Sequence, residues 1–128
     1  MRCILSWTII GIIVLIAPVA AVASISLPPI MDSWNQDKHD VSAMLVGRTP
    51  YEEARIRDDL LRYIADASVV ARELQGGTAE ARNLAARFEA FATDSRSALG
   101  KISQPTAVAE NFNRMLDDCR SCHAIYNN

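Results

Sequence analysis

Gln104-Pro105-Thr106-Ala107-Val108-Ala109-Glu110-Asn111-Phe112-Asn113-Arg114-Met115-Leu116-Asp117-Asp118-Cys119-Arg120-Ser121-Cys122-His123-Ala124-Ile125-Tyr126 reads as one long amphipathic helix. Val108, Phe112, Met115, Cys119, Cys122 and Tyr126 recur at spacings 4-3-4-3-4, which places them on a single helix face. Pro105 suits a first turn, where its missing N–H costs no hydrogen bond. The inward stripe therefore begins with ordinary core residues and ends with two cysteines.

Working back along the chain, the same spacing returns three times. Leu84, Phe88, Phe91, Ser95, Ala98 and Ile102 form a second stripe, opened by a Thr78 cap and fading near Gly100. Ile56, Leu60, Tyr63, Ala67, Val70 and Leu74 form a third, ended by Gly76-Gly77. Its start is expected at Thr49-Pro50-Tyr51-Glu52, with Thr49 as N-cap, Pro50 as the first helical residue and Glu52 completing a capping box. Leu27, Met31, Trp34, Lys38, Val41 and Leu45 form the fourth, from Leu27-Pro28-Pro29 to Gly47, with Lys38 as the polar exception. Four helices with inward stripes at this spacing pack at a shallow crossing angle. Short connections make sequence neighbours antiparallel. The expected fold is all-α, an up-down-up-down four-helix bundle.

The rest of the composition narrows the possibilities. A chain of 128 residues fits one domain, and a formal charge of −2 lacks the basic surplus of a nucleic-acid binder. Arg2 is the only charge before Asp32. Between them lie the apolar run from Ile4 to Ala17, the break at Pro18 and the small-residue site Ala21-Val22-Ala23. That order reads as a secretory signal peptide over residues 1–23, with a bundle domain over 24–128. The alternative is an uncleaved membrane anchor. Loss of residues 1–23 removes Cys3 and leaves two neighbouring cysteines, so no long-range disulfide framework is possible.

Those two cysteines stand in Cys119-Arg120-Ser121-Cys122-His123. Two thiols separated by two residues can add across the vinyl groups of haem, and the adjacent imidazole can meet the iron. The expectation is one haem c per chain, with Cys119 and Cys122 as thioether links and His123 as an axial iron ligand. A redox dithiol, a zinc site and a purely structural cysteine pair are the alternatives. A dithiol usually opens a helix, whereas this motif lies near the end of one. Zinc wants further ligands, and no second cysteine pair follows. In an antiparallel bundle the end of the last helix lies beside the start of the first. The expected pocket walls are Met31, Trp34, Val70, Leu74, Leu84, Phe88, Met115 and Tyr126.

With this motif near the C-terminal end of four helices, and with Gly47-Arg48-Thr49-Pro50-Tyr51 between the first two, residues 24–128 resemble the class II c-type cytochromes, the cytochrome c-prime family. The resemblance implies haem near the C-terminal end of the last helix. It implies either a low-spin electron carrier with Met on the sixth iron position or a high-spin protein that admits nitric oxide or carbon monoxide. Counting back from the Gly-x-x-Pro-Tyr turn puts Met31 where low-spin members carry that Met. His39 is eight residues on, about 12 Å along the helix. Met31 is thus the expected sixth ligand, with Trp34, Phe88 and Tyr126 packing on the haem. Low-spin members carry Arg four residues before the Met to contact a haem propionate; here that position is Leu27. Arg82 and Arg87 are the substitutes to consider.

The expected function is single-electron transfer in the periplasm, with redox proteins as partners and no catalytic residues. Members of the family pair as homodimers. A gas-binding haem protein and a membrane-anchored haem subunit of a larger redox complex are the alternatives.

Overall fold

Ser26, in extended conformation, leads into a helix whose first turn holds Pro28 and Pro29. The computed structural model describes residues 26–126, so the signal segment expected over residues 1–23 lies outside the described residues. Helix α1 spans Leu27–Leu45. Gly47 then takes a positive φ of 74°, and two hydrogen bonds close the helix: Gly47 N–H to the Met44 carbonyl and Arg48 N–H to the Ala43 carbonyl. This paired closure needs a left-handed residue, which glycine adopts without steric cost.

Helix α2 spans Glu53–Gln75, later than expected. Its N-cap is Glu52, which makes no side-chain capping bond, and the capping box assigned to Thr49 and Glu52 is absent. The reason lies in the anchoring of the turn. Thr49 N–H is held by the Ala43 carbonyl, and the Tyr51 hydroxyl donates to the Ile102 carbonyl at 2.6 Å. Both ends of the Thr49–Tyr51 stretch are tied to other segments, so the helix begins only beyond them.

Helix α3 spans Ala79–Leu99, and Thr78 caps it by accepting the Ala81 N–H. Helix α4 spans Pro105–Tyr126. Among the described residues there is no strand. No helix of the described part is long and apolar enough to cross a membrane.

The helices pack against each other in the pairs α1–α2, α2–α3, α3–α4 and α1–α4. The backbones of α2 and α3 approach most extensively, while α1 comes close to its neighbours at few points. The stripes read from the sequence supply the core: Ile56, Leu60, Tyr63, Ala67 and Val70 on α2, Phe88, Phe91 and Ser95 on α3, Val108, Phe112 and Met115 on α4. On α1 the buried residues are Trp34, Val41 and Met44, with Leu45 only partly covered. Trp34 stands in for close backbone approach. Its ring stacks on Phe91 at 4.6 Å between centroids and meets Tyr63 and Phe88 edge-on. Such an aromatic cluster adds geometric preference to its area burial. Its polar edge is satisfied too, because Trp34 Nε1 donates to Asp66 on α2 at 3.0 Å.

Candidate functional site

The apolar stripe of α4 is buried through Met115 and then loses its cover. Cys119, Cys122 and Tyr126 continue the same face but are only half-buried, and His123 is exposed. The stand-off of α1 explains the change. Three clefts open between the start of α1 and the end of α4, of about 410, 40 and 380 Å³. Met31 and His123 are the two residues that line all three. Cys119 lines the first two and Cys122 the second and third.

Most of the expected walls are present. Met31, Trp34, Leu84, Phe88, Met115 and Tyr126 each line at least one of these clefts. Val70 and Leu74 line none, which corrects the expectation. Val70 is fully buried and Leu74 packs on the core, on a helix whose closest backbone neighbour is α3. From α2 only Tyr63 reaches the clefts. Phe91, Phe112 and Leu116 also line the largest cleft and were not among the expected walls. The stripe positions of Phe91 and Phe112 carried the signal for burial but not for this cavity, and Leu116 lies off the α4 stripe. His39 is exposed and lines none of the three.

Cys119 and Cys122 are not joined in a disulfide. Burial pushes the Cys119 thiol up to about 11, against the pull of nearby Lys38 and with a smaller push from Asp118. Burial also raises Cys122, opposed by Arg87. Burial disfavours the thiolate at both positions, opposite in sense to the lowered thiol pKa of an attacking dithiol. Among the described residues no group of three or more His, Cys, Asp and Glu side chains gathers as a metal cage. One imidazole, one thioether and two thiols around a largely apolar cleft suit a macrocycle that brings four iron ligands of its own.

The polar groups at the site are unevenly satisfied. The Tyr63 hydroxyl is buried without a hydrogen-bond partner, and burial drives its pKa upward. An unpartnered buried hydroxyl costs about 1–3 kcal/mol. Asp118 Oδ2 is likewise buried and unpartnered. Burial, then the neighbouring Asp94 carboxyl, pushes Asp118 up to about 6. Arg87 lines the second cleft, donates to Ser121 at 2.8 Å and to Asn83 at 3.3 Å, and lies 5.9 Å from the Tyr126 ring centroid. Arg82 donates to the Gly77 carbonyl and lines none of the clefts.

The chain matches no protein-family model, no curated protein and no solved structure.

Proposed function

We propose that this chain is an exported c-type cytochrome resembling the low-spin class II members, passing single electrons through one covalently held haem. The observation that carries the reading is the convergence of three clefts on Met31 and His123, beside Cys119 and Cys122. A haem held there would supply one-electron redox chemistry.

Each residue then has a physical task. The two thiols on the inward face of α4 hold the macrocycle in one orientation. His123 on α4 and Met31 on α1 would be the residues that hold the iron. Trp34, Phe88 and Phe91 exclude water, and a dry, low-dielectric pocket is one of the levers by which protein sets a potential. The bond from Trp34 to Asp66 holds the helix that carries Met31.

An up-down-up-down arrangement belongs to the same proposal. It is supported by the order of side-chain partners. Trp34, Asp37 and Asp40 on α1 pair with Asp66, Arg62 and Arg55 on α2, so one number rises as the other falls. Asn83, Arg87 and Asp94 on α3 pair with Tyr126, Ser121 and Arg114 on α4 in the same reversed sense. Export rests on the apolar segment and small-residue site over residues 1–23, and suits a haem attached outside the cytoplasm.

Absorption spectra of the protein produced with haem-attachment machinery test the reading. An alkaline pyridine spectrum of a two-thioether haem is expected, lost in a Cys119→Ala/Cys122→Ala variant. Six-coordinate low-spin bands are expected in the parent and five-coordinate bands in Met31→Ala. A five-coordinate parent spectrum would overturn the Met31 assignment and favour gas binding. Absence of covalent haem would overturn the whole reading.

A further inference from the structure

Lys38 is the one charged residue on the four inward stripes, and core packing gives it no task. It lines the largest cleft together with Met31, Cys119 and His123. Its ammonium donates to the Asn35 side-chain oxygen at 2.8 Å, and Asn35 lines the same cleft. Among the described residues, no carboxylate lies within salt-bridge distance of Lys38. The acids beside it on α1 are engaged elsewhere, Asp37 with Arg62 and Asp40 with Arg55. A neutral amide thus fixes the ammonium in place and leaves its charge uncancelled.

That charge reaches the site. Of the charged groups that act on the Cys119 sulfur, Lys38 acts most strongly, and it does so from another helix. Asp118 and Arg120 stand nearer to Cys119 in sequence, yet they act less strongly and in opposite senses. The other charges lining this cleft are Asp32, an anion, and Arg120, which pairs with Asp117. From α2 and α3 only Tyr63 and Phe91 reach it, and neither brings a charge. An iron centre that gains an electron loses one unit of positive charge. A fixed cation beside it therefore favours the ferrous state, and does so more strongly in a largely apolar cleft than in water.

We infer that Lys38 is a potential-setting residue: its uncancelled ammonium, on the Cys119 side of the haem, raises the reduction potential of the iron. The inference rests on the cytochrome reading above. Lys38 neither carries the electron nor binds the iron; it acts through its field alone. Asn35 is a positioning residue that acts through Lys38, because it holds the ammonium at the cleft without neutralising it. The charged residue on the α1 stripe thereby has a reason to face inward.

The test is a redox titration of the haem-loaded protein and its variants at neutral pH, followed by absorption. In Lys38→Met the ferrous-to-ferric ratio at a fixed ambient potential is expected to fall about threefold or more. Lys38→Arg keeps the charge and is expected to keep the parent ratio. Asn35→Asp is expected to lower the ratio as well, because a carboxylate there cancels the ammonium without removing it. Asn35 is exposed, so this variant leaves the core intact and keeps the test alive if Lys38→Met folds poorly. The coordination bands of all three variants are expected to match the parent's in both redox states, since no iron ligand is touched. A smaller fall in Lys38→Met, an equal fall in Lys38→Arg, an unchanged ratio in Asn35→Asp, or a fall that comes with altered coordination bands would overturn the inference and leave the cytochrome reading standing. A parent protein without covalent haem would overturn both.

Discussion

Trp34 Nε1 donates to the Asp66 carboxylate at 3.0 Å, tying the first half of α1 to the second half of α2. The backbones of these helices approach at few points, and this bond joins the Asp37–Arg62 and Asp40–Arg55 ion pairs in holding them together. It also holds the turn next to Met31. Asp66→Ala leaves the indole N–H without its acceptor in a partly buried setting. We expect a loss of about 1–3 kcal/mol in urea denaturation, with a smaller loss for Asp66→Asn, which keeps an acceptor oxygen. Equal stability of the parent and Asp66→Ala would refute it.

The two threonines before helices α2 and α3 are expected to behave differently. Thr78 accepts the Ala81 N–H, whereas α2 has no side-chain cap at its start. Thr78→Ala is expected to cost about 1 kcal/mol. Thr49→Ala is expected to cost clearly less, by the same denaturation measurement. The reverse order would show that the capping box at Thr49 forms in solution.

Asp118 gives a pH signature. Its carboxyl titrates near 3.8 in the unfolded chain and is pushed up to about 6 in the fold by burial and by Asp94. Between those values only the folded chain keeps the proton, so this group's contribution to stability falls as pH rises from about 4 to about 6 and then levels. Asp118→Asn has no proton to lose. Its stability relative to the parent is expected to climb across that window and stay flat on either side. Parallel stability curves across it would contradict the assignment.

The thiols separate the haem-free from the haem-loaded chain. In the haem-free protein at pH 8, iodoacetamide is expected to label Cys122 faster than Cys119, the more deeply buried thiol, which is pushed up to about 11. After haem attachment neither sulfur is expected to react, because both are thioethers. Mass spectrometry of tryptic peptides reads both outcomes. Labelling of both cysteines in protein that carries haem would count against thioether attachment.

Much of this was legible in the sequence because helix burial repeats with the helix period. A residue such as Ile56 or Val108 declares its facing by what stands three and four positions away, and both are fully buried. The local signals were less even. Thr78 acts as a cap, as its position suggests, but Thr49 does not, because Tyr51 is bound to Ile102, 51 residues away. A contact at that separation leaves no trace in the local pattern that a cap is read from. Val70 and Leu74 failed as pocket walls for a related reason: periodicity says that they face inward, not which inward space they meet.

The sequence by itself determined the helices, their inward faces and the presence of Cys119, Cys122 and His123 at the end of one of those faces. These follow from chain-local chemistry: side-chain spacing, two thiols and an adjacent imidazole. Only the tertiary structure decided that α1 stands off from its neighbours, that Met31 shares three clefts with His123, and that Lys38 and Cys119 line the same cleft from different helices. Those relationships depend on how closely helix backbones approach, which is set by the bulk of side chains such as Trp34 packing across the bundle. A single-chain pattern records which residues turn inward; the distance between helices is settled only when all four pack together.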